Sequence, residues 1–410
     1  MRTVYFLGAG ASFATEYQLP TMSNFFDKLS VKEFPSLSKF LEEYFLPFSY
    51  ENYFDIFPER IEKFLEEKED IIEGISDEFK DDPENISIIR ITEELEKAME
   101  RREKKLKGVK FNLEQVVTFL DLAVSKFGEL GESKFYYLEE AQRELIKYIS
   151  NRLLLYHREK VNKLYPSEKY KILFQNLTPQ DSVITLNYDI IIEDTLQRLW
   201  EEKSEKEKEE FIKKENISGK SHPLLEKLEQ ILINQPLSWT RPEWIYYTSQ
   251  EGKRGVFLKL HGSINWVYCP NEDCRHHFSF FPVEIKEFIE QSRSFPSCRV
   301  CGTATRPAIV LPTMYKAFER FPKLGFIWAL ARKELEEARK IVIIGVSFAE
   351  SDYYLKWLFK SALRKFKLDP DSHKIEVVDK NKDVCSIVEK VTGIKPEYRR
   401  SLEEYISSLD

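Results

Sequence analysis

Four short runs of apolar, largely β-branched or aromatic residues stop abruptly at small or polar positions: Val4 to Leu7, Val183 to Leu186, Phe257 to Leu260 and Ile341 to Ile344. Runs of this length without polar alternation read as strands buried on both faces. Ile375 to Val378 is a fifth run, and Ala308 to Leu311 is a candidate sixth. Helical spacing follows most of them, as in Ile190 to Glu201 and Tyr353 to Phe366. The alternation predicts an α/β fold built on a Rossmann-like, doubly wound parallel sheet.

The stretch 31–177 breaks that rhythm. Arg60 to Lys68, Ile86 to Lys105, Leu113 to Lys126 and Leu138 to Leu164 carry apolar residues at helical intervals, which predicts a large helical insertion. The expected organisation is the first strand and its loop in 1–30, the insertion in 31–177, and the sheet continued in 178–266. A small cysteine module follows in 267–305, and the rest of the sheet in 306–410. Glu201 to Lys214 is nearly all charge, which a solvated helix or loop explains without a binding role.

A chain of 410 residues, 42% of them hydrophobic, can fill substantial cores. The net charge of -7 argues against a surface made for non-specific nucleic-acid binding, so no direct nucleic-acid contact is expected. No apolar run approaches the roughly 20 residues that span a bilayer, and the first residues lack a secretory signal pattern. A cytoplasmic protein without membrane attachment is the expectation. The heavy use of Lys and Glu resembles the bias of thermophile proteins.

Candidate chemistry begins at Gly8-Ala9-Gly10-Ala11-Ser12, which follows the first strand with no linker. Strand, Gly-x-Gly and helix is the form of a diphosphate-binding loop, although Phe13 stands where the usual fingerprint has a third glycine. Ligands of open parallel sheets bind beyond the carboxyl ends of the strands, so the other strand ends matter equally. They carry Thr185-Leu186-Asn187-Tyr188-Asp189, His261-Gly262-Ser263, Gly345-Val346-Ser347 with Asp352 just inside the next helix, and Asp379. Each has a purely structural explanation: Asn187, Asp189 and Ser347 as helix caps, His261-Gly262 as a turn, Asp379 as the start of a loop. Together they predict one shared nucleotide crevice.

Four of the five cysteines fall in one window, Cys269-x4-Cys274 and Cys298-x2-Cys301. Two such pairs present four thiolates in the tetrahedral arrangement of a structural Zn²⁺ site, closed to water and substrate. Two disulfides are the alternative, disfavoured in the cytosol outside hyperthermophiles. His276 and His277 could substitute as ligands, but a place in the solvated loop is the expectation for both, and Cys385 is expected in the core.

In this order, GAGAS at Gly8 to Ser12, TLNYD at Thr185 to Asp189, HGS at His261 to Ser263, the cysteine pairs directly after it, GVS at Gly345 to Ser347, and Asp379 resemble the sirtuins and the broader group of sirtuin-like proteins. The block from about Ser30 to Leu177 matches none of the motifs. The resemblance implies NAD⁺ as the bound nucleotide. Gly8, Ala9, Gly10, Ala11 and Ser12 would hold the diphosphate with Thr21 beside them. Gly345, Ser347 and Asp352 would line the adenosine half, and Asp379 would accept from the adenine ribose. Asn187 would orient the nicotinamide ribose and the attacking group, Asp189 would support it, and His261 would be the general base.

Protein-deacylating sirtuins continue their glycine loop as Gly-Ile-Pro-Asp-Phe-Arg; this chain continues Gln18-Leu19-Pro20-Thr21-Met22-Ser23. That form resembles the prokaryotic defence-associated sirtuin-like NAD⁺ hydrolases, in which water is the acceptor. The resemblance therefore implies an NAD⁺ glycohydrolase, an oligomeric effector of antiviral defence that works beside an Argonaute-like protein or a translocase ATPase. The alternatives are an NAD-dependent protein lysine deacylase, favoured by the zinc module, and a sensor subunit that binds NAD⁺ or ADP-ribose without turnover.

Overall fold

In a computed structural model the described residues are 2–15, 18–20, 25–46, 96–129, 136–161, 167–215, 219, 221–233, 255–274, 276, 280–282, 296–311, 321–349, 352–364 and 373–409. The chain divides into two compact units, Met22–Asn151 and the remainder, Met1–Thr21 with Arg152–Asp410.

The larger unit is organised by a six-stranded sheet: β1 (Thr3–Leu7), β2 (Ser182–Thr185), β3 (Phe257–Lys259), β7 (Lys340–Ile344), β8 (Lys374–Val378) and β9 (Glu397–Arg399). Its order is β3-β2-β1-β7-β8-β9 and every neighbouring pair is parallel. The fold is a doubly wound α/β sheet. Its central strands have no water-facing side, as β1 shows with all five residues buried. The absence of polar alternation in those runs follows from that burial. Phe6 of β1 packs edge to face on Phe359 of the helix Tyr353–Ala362, ring centroids 5.0 Å apart.

Two elements depart from expectation. Ala308 to Leu311 supplies no sixth parallel strand: Arg306–Ile309 is β6, which pairs antiparallel with β4 (Gly262–Tyr268). With β5 (Phe281–Pro282) they form a separate three-stranded sheet, β5-β4-β6. The sixth parallel place belongs to β9, whose Glu397-Tyr398-Arg399 are exposed or half-buried. An edge strand needs no apolar run, so its hydrophobic pattern is silent.

The smaller unit is helical among the described residues. It contains Pro35–Phe45, a helix over 96–106, Leu113–Glu129 and the first part of Tyr136–Val161. Phe34 offers no side chain to cap Pro35–Phe45, and the buried carboxylate of Glu144 takes the amides of Ser36 and Leu37 instead (3.3 and 2.7 Å). Burial alone would raise the Glu42 pKa, but Arg102 and Lys105, each at 2.8 Å, hold it below the ordinary range. The expected helix Arg60 to Lys68 and residues 86–95 lie outside the described residues. The charged run is helical over Glu205–Glu215, in keeping with a solvated element.

Candidate functional site

In chain order the large sheet reads third, second, first, fourth, fifth, sixth, so successive connections run outward in opposite directions from the boundary between β1 and β7. The loops leaving the carboxyl ends there part to opposite faces and leave a crevice, the usual ligand position of such sheets. Gly8–Ser12 leaves β1 at this boundary and Gly345–Ser347 leaves β7.

The glycines let these two loops touch. Gly8 N–H donates to Ile344 O (2.9 Å) and Gly10 N–H to Gly345 O (3.0 Å). A β-carbon at Gly8 would lie 2.5 Å from Gly345 O, and one at Gly10 would lie 2.8 Å from Gly345 Cα. Gly345 has φ 62°, and a β-carbon there would lie 2.2 Å from Ala11 N and 2.6 Å from Gly10 Cα. Gly8 and Gly10 therefore have a packing reason independent of any ligand, and their amides are already engaged. Ala9, exposed on the first turn of the short helix Ala9–Ala14, remains at the crest. Gly345→Ala combines a left-handed backbone with a clash against main chain, and is expected to cost about 2 kcal/mol or more. Chemical denaturation measures this, and an unshifted midpoint would contradict it.

Behind the crest, polar side chains from the segments just past β1 and β2 converge. Ser12 Oγ donates to Asp189 Oδ2 (2.9 Å), and Asn187 Nδ2 donates to Ser12 Oγ (2.9 Å) and Gly8 O (3.0 Å). Tyr170 OH lies 3.5 Å from Ser12 Oγ. Thr185 fixes the turn: its hydroxyl donates to Leu7 O (3.1 Å) and accepts from Asn187 N–H (3.0 Å). Asp189 Oδ1 takes Ile191 N–H (3.1 Å) at the start of the helix Ile191–Glu201, whose N-cap Ile190 contributes no side chain. Burial pushes the Asp189 carboxyl above the usual carboxylate range, against the pull of Lys259 and the Ser12 hydroxyl.

His261 occupies the two-residue turn between β3 and β4. Leu260 N–H still bonds Thr185 O, so the histidine is the first residue past the β2 edge (2.9 Å). Its ring is buried between Tyr188 and Trp328, centroids 6.1 and 6.0 Å away. Trp328 Nε1 donates to Leu260 O and Tyr188 OH to Val310 O (both 2.8 Å), which fixes both neighbours. Gly262 completes the turn with φ 81°, where a β-carbon would lie 1.9 Å from Ala308 O. Burial, with Asp352 nearby, raises the Tyr188 hydroxyl above its ordinary pKa.

The remaining strand-end residues are more open. Ser347 is exposed and caps no described helix; Asp352 instead caps Tyr353–Ala362, accepting from Leu355 N–H (3.2 Å). Asp379 is half-buried, with Oδ1 taken by Asn381 N–H (2.8 Å). Phe13 stays half-exposed with Lys380 Nζ 5.4 Å from its ring centroid. Thr21 lies outside the described residues.

The four cysteines come together. Cys269 leaves β4, Cys298 and Cys301 precede β6, and the four Sγ atoms lie within 4.8 Å of one another. Cys269 and Cys301 Sγ are 3.4 Å apart and Cys274 and Cys298 Sγ 3.8 Å, all unbonded thiols. Zn–S bonds of about 2.3 Å in a tetrahedron put sulfurs roughly 3.8 Å apart, so the cluster suits Zn²⁺. A disulfide requires about 2.05 Å. His276 donates its backbone N–H to Cys274 Sγ (3.4 Å) while its ring lies 4.8 Å from that of Phe281; His277 is outside the described residues. Cys385, expected in the core, is half-buried.

Sequence reasoning passed over buried Lys259, which bonds Asp189 O, and its buried partner Glu193. A lysine inside the apolar run Phe257 to Leu260 was the available signal, because a charge there needs a buried partner.

No family model matches this sequence and no curated protein matches it. Among solved structures the chain is similar to a Sir2 homologue in complex with NAD, at 15% identity over 68% of this chain and 75% of that one, with TM-score 0.34. A triple mutant of Sir2 homologues with 2'-O-acetyl ADP-ribose matches at 15% identity over 68% and 77%, TM-score 0.35. A structure from work on sirtuin substrate affinity matches at 13% identity over 100% and 92%, TM-score 0.34.

Proposed function

We propose that this protein cleaves the N-glycosidic bond of NAD⁺ with water, yielding nicotinamide and ADP-ribose. The observation that supports it most is the Ser12–Asn187–Asp189 cluster at the carboxyl ends of β1 and β2, beside the boundary where the sheet reverses direction. Nicotinamide leaves with the bonding electron pair as a neutral base, and positive character builds on the ribose, as in glycoside hydrolysis. Asn187, its Nδ2 tied to Gly8 and Ser12, uses its amide oxygen to orient the ribose and the incoming water. His261 takes the proton that water loses on attack. Asp189, through Ser12, holds Asn187 in place.

In this reading Ala9 and the rest of the glycine loop face the diphosphate with Thr21, Gly345, Ser347 and Asp352 follow the adenosine half, and Asp379 receives the adenine ribose. The Leu19-Pro20-Thr21 continuation supports water rather than acyl-lysine as the acceptor. It also supports a role as effector of a prokaryotic antiviral system, a homo-oligomer beside an Argonaute-like or translocase ATPase partner. The cysteine module carries structural Zn²⁺ on Cys269, Cys274, Cys298 and Cys301 and contributes no reacting group.

The four-cysteine cluster, which follows His261 at the far end of β4, favours a second reading, an NAD-dependent lysine deacylase. Incubating the purified protein with NAD⁺, with and without an acetylated peptide, separates the two. Nicotinamide release without peptide is the expected result. Release only with peptide, together with acyl loss, makes the protein a deacylase, and binding without turnover makes it a sensor subunit.

A further inference from the structure

Behind the strand-end cluster sits a pair of charges to which the proposed chemistry gives no task. Lys259 is fully buried on β3, and its ammonium donates to the main-chain O of Asp189 (2.5 Å) and to Glu193 Oε1 (2.6 Å). Glu193 lies in the first turn of the helix Ile191–Glu201 and is 4% exposed. Its second oxygen, Oε2, has no hydrogen-bond partner among the described residues.

A solvent-free ion pair is a poor source of net stability, because desolvating two charges offsets their attraction. Apolar side chains of similar volume would fill the space as well or better. What the pair adds is direction. The ammonium holds the Asp189 main chain from behind, while the Asp189 carboxylate takes Ser12 Oγ and Ile191 N–H on the crevice side. Ser12 in turn meets Asn187. A chain of bonds thus runs from the interior of β3 to the amide that would orient the ribose.

We propose that Lys259 and Glu193 are a buried positioning pair that sets the Asn187–Ser12–Asp189 geometry for glycosidic cleavage without touching NAD⁺. The assignment of a task rests on the NAD⁺-cleaving reading; the mechanical link does not. Removing the pair frees the Asp189 peptide to rotate and loosens Asn187, and a displacement near 1 Å is enough to cost on the order of a hundredfold in rate.

The double variant Lys259→Met/Glu193→Leu removes both charges together and so leaves no orphaned ion. Expected are an unfolding midpoint equal to or above wild type, a KM for NAD⁺ within about twofold, and a kcat lower by on the order of a hundredfold. Its crystal structure should show Asp189 out of hydrogen-bond reach of Ser12. A double variant with wild-type kcat, a loss carried by KM, or an undisturbed Ser12–Asp189 bond would each overturn the proposal. So would unfolding of the variant, which would make the pair a stability element. If wild-type protein releases no nicotinamide, the cleavage reading fails, and the crystal structure alone then decides whether the pair holds Asp189.

Discussion

His261→Ala is expected to slow nicotinamide release from NAD⁺ by roughly a hundredfold to ten-thousandfold, the usual worth of a positioned proton acceptor. The imidazole is buried between Tyr188 and Trp328, each tied by its own polar atom to a backbone carbonyl, so its removal leaves a small pocket whose walls stay in place. Stability should fall by only about 1–2 kcal/mol. Loss of rate without loss of fold is therefore the signature to look for, with circular dichroism and thermal unfolding measured beside the assay. Asn187→Ala should lose a comparable factor by another route, because it breaks the bonds to Gly8 O and Ser12 Oγ and removes the amide proposed to orient the ribose. A His261→Ala protein retaining half of wild-type turnover would mean that the proton leaves elsewhere.

Loss of the metal should have the largest effect on stability. Cys274→Ser, or a strong chelator, is expected to lower the bound Zn²⁺ from about one equivalent to a small fraction and the unfolding temperature by on the order of 10 °C. The reason is local. Among the described residues of the connection between β4 and β6, regular structure is confined to the isolated Ser297–Ala304 bridge and the short β5. Four thiolates converging on one ion would stand in for the larger apolar core that so short a segment does not build. Elemental analysis of the purified protein tests the premise: zinc well below one equivalent, with the cluster thiols found oxidised, would replace the metal site by disulfides.

The sequence announced those features that physics forces into a pattern. β1, β2, β7 and β8 are buried along nearly their whole length and are mostly apolar, so they were legible at once. β9 was not, because an edge strand between Gly393 and the final helix can afford Glu397 and Arg399. Ala308 to Leu311 looked like the others because an apolar run reports burial and not the sheet in which it is buried. The glycine loop shows a similar ambiguity. A missing β-carbon admits a phosphate or a neighbouring backbone, and here Gly345 already occupies that approach. Asn187, Asp189 and Ser12 were legible as polar residues at strand ends, whereas their mutual bonds depend on a β1–β2 register that only tertiary structure fixes. Lys259 and Glu193, far apart in sequence, had to meet before either meant anything.

The turn at Leu260-His261 has a consequence for anyone recombining this protein. Two residues join the large sheet to the small one, and Val310 N–H bonds His261 O from the far side of that joint (2.9 Å). The cysteine module is therefore no detachable cassette. A chimera cut between β3 and β4 would re-aim the histidine with every graft, so the transferable block must run unbroken from Phe257 through β6 to Leu311.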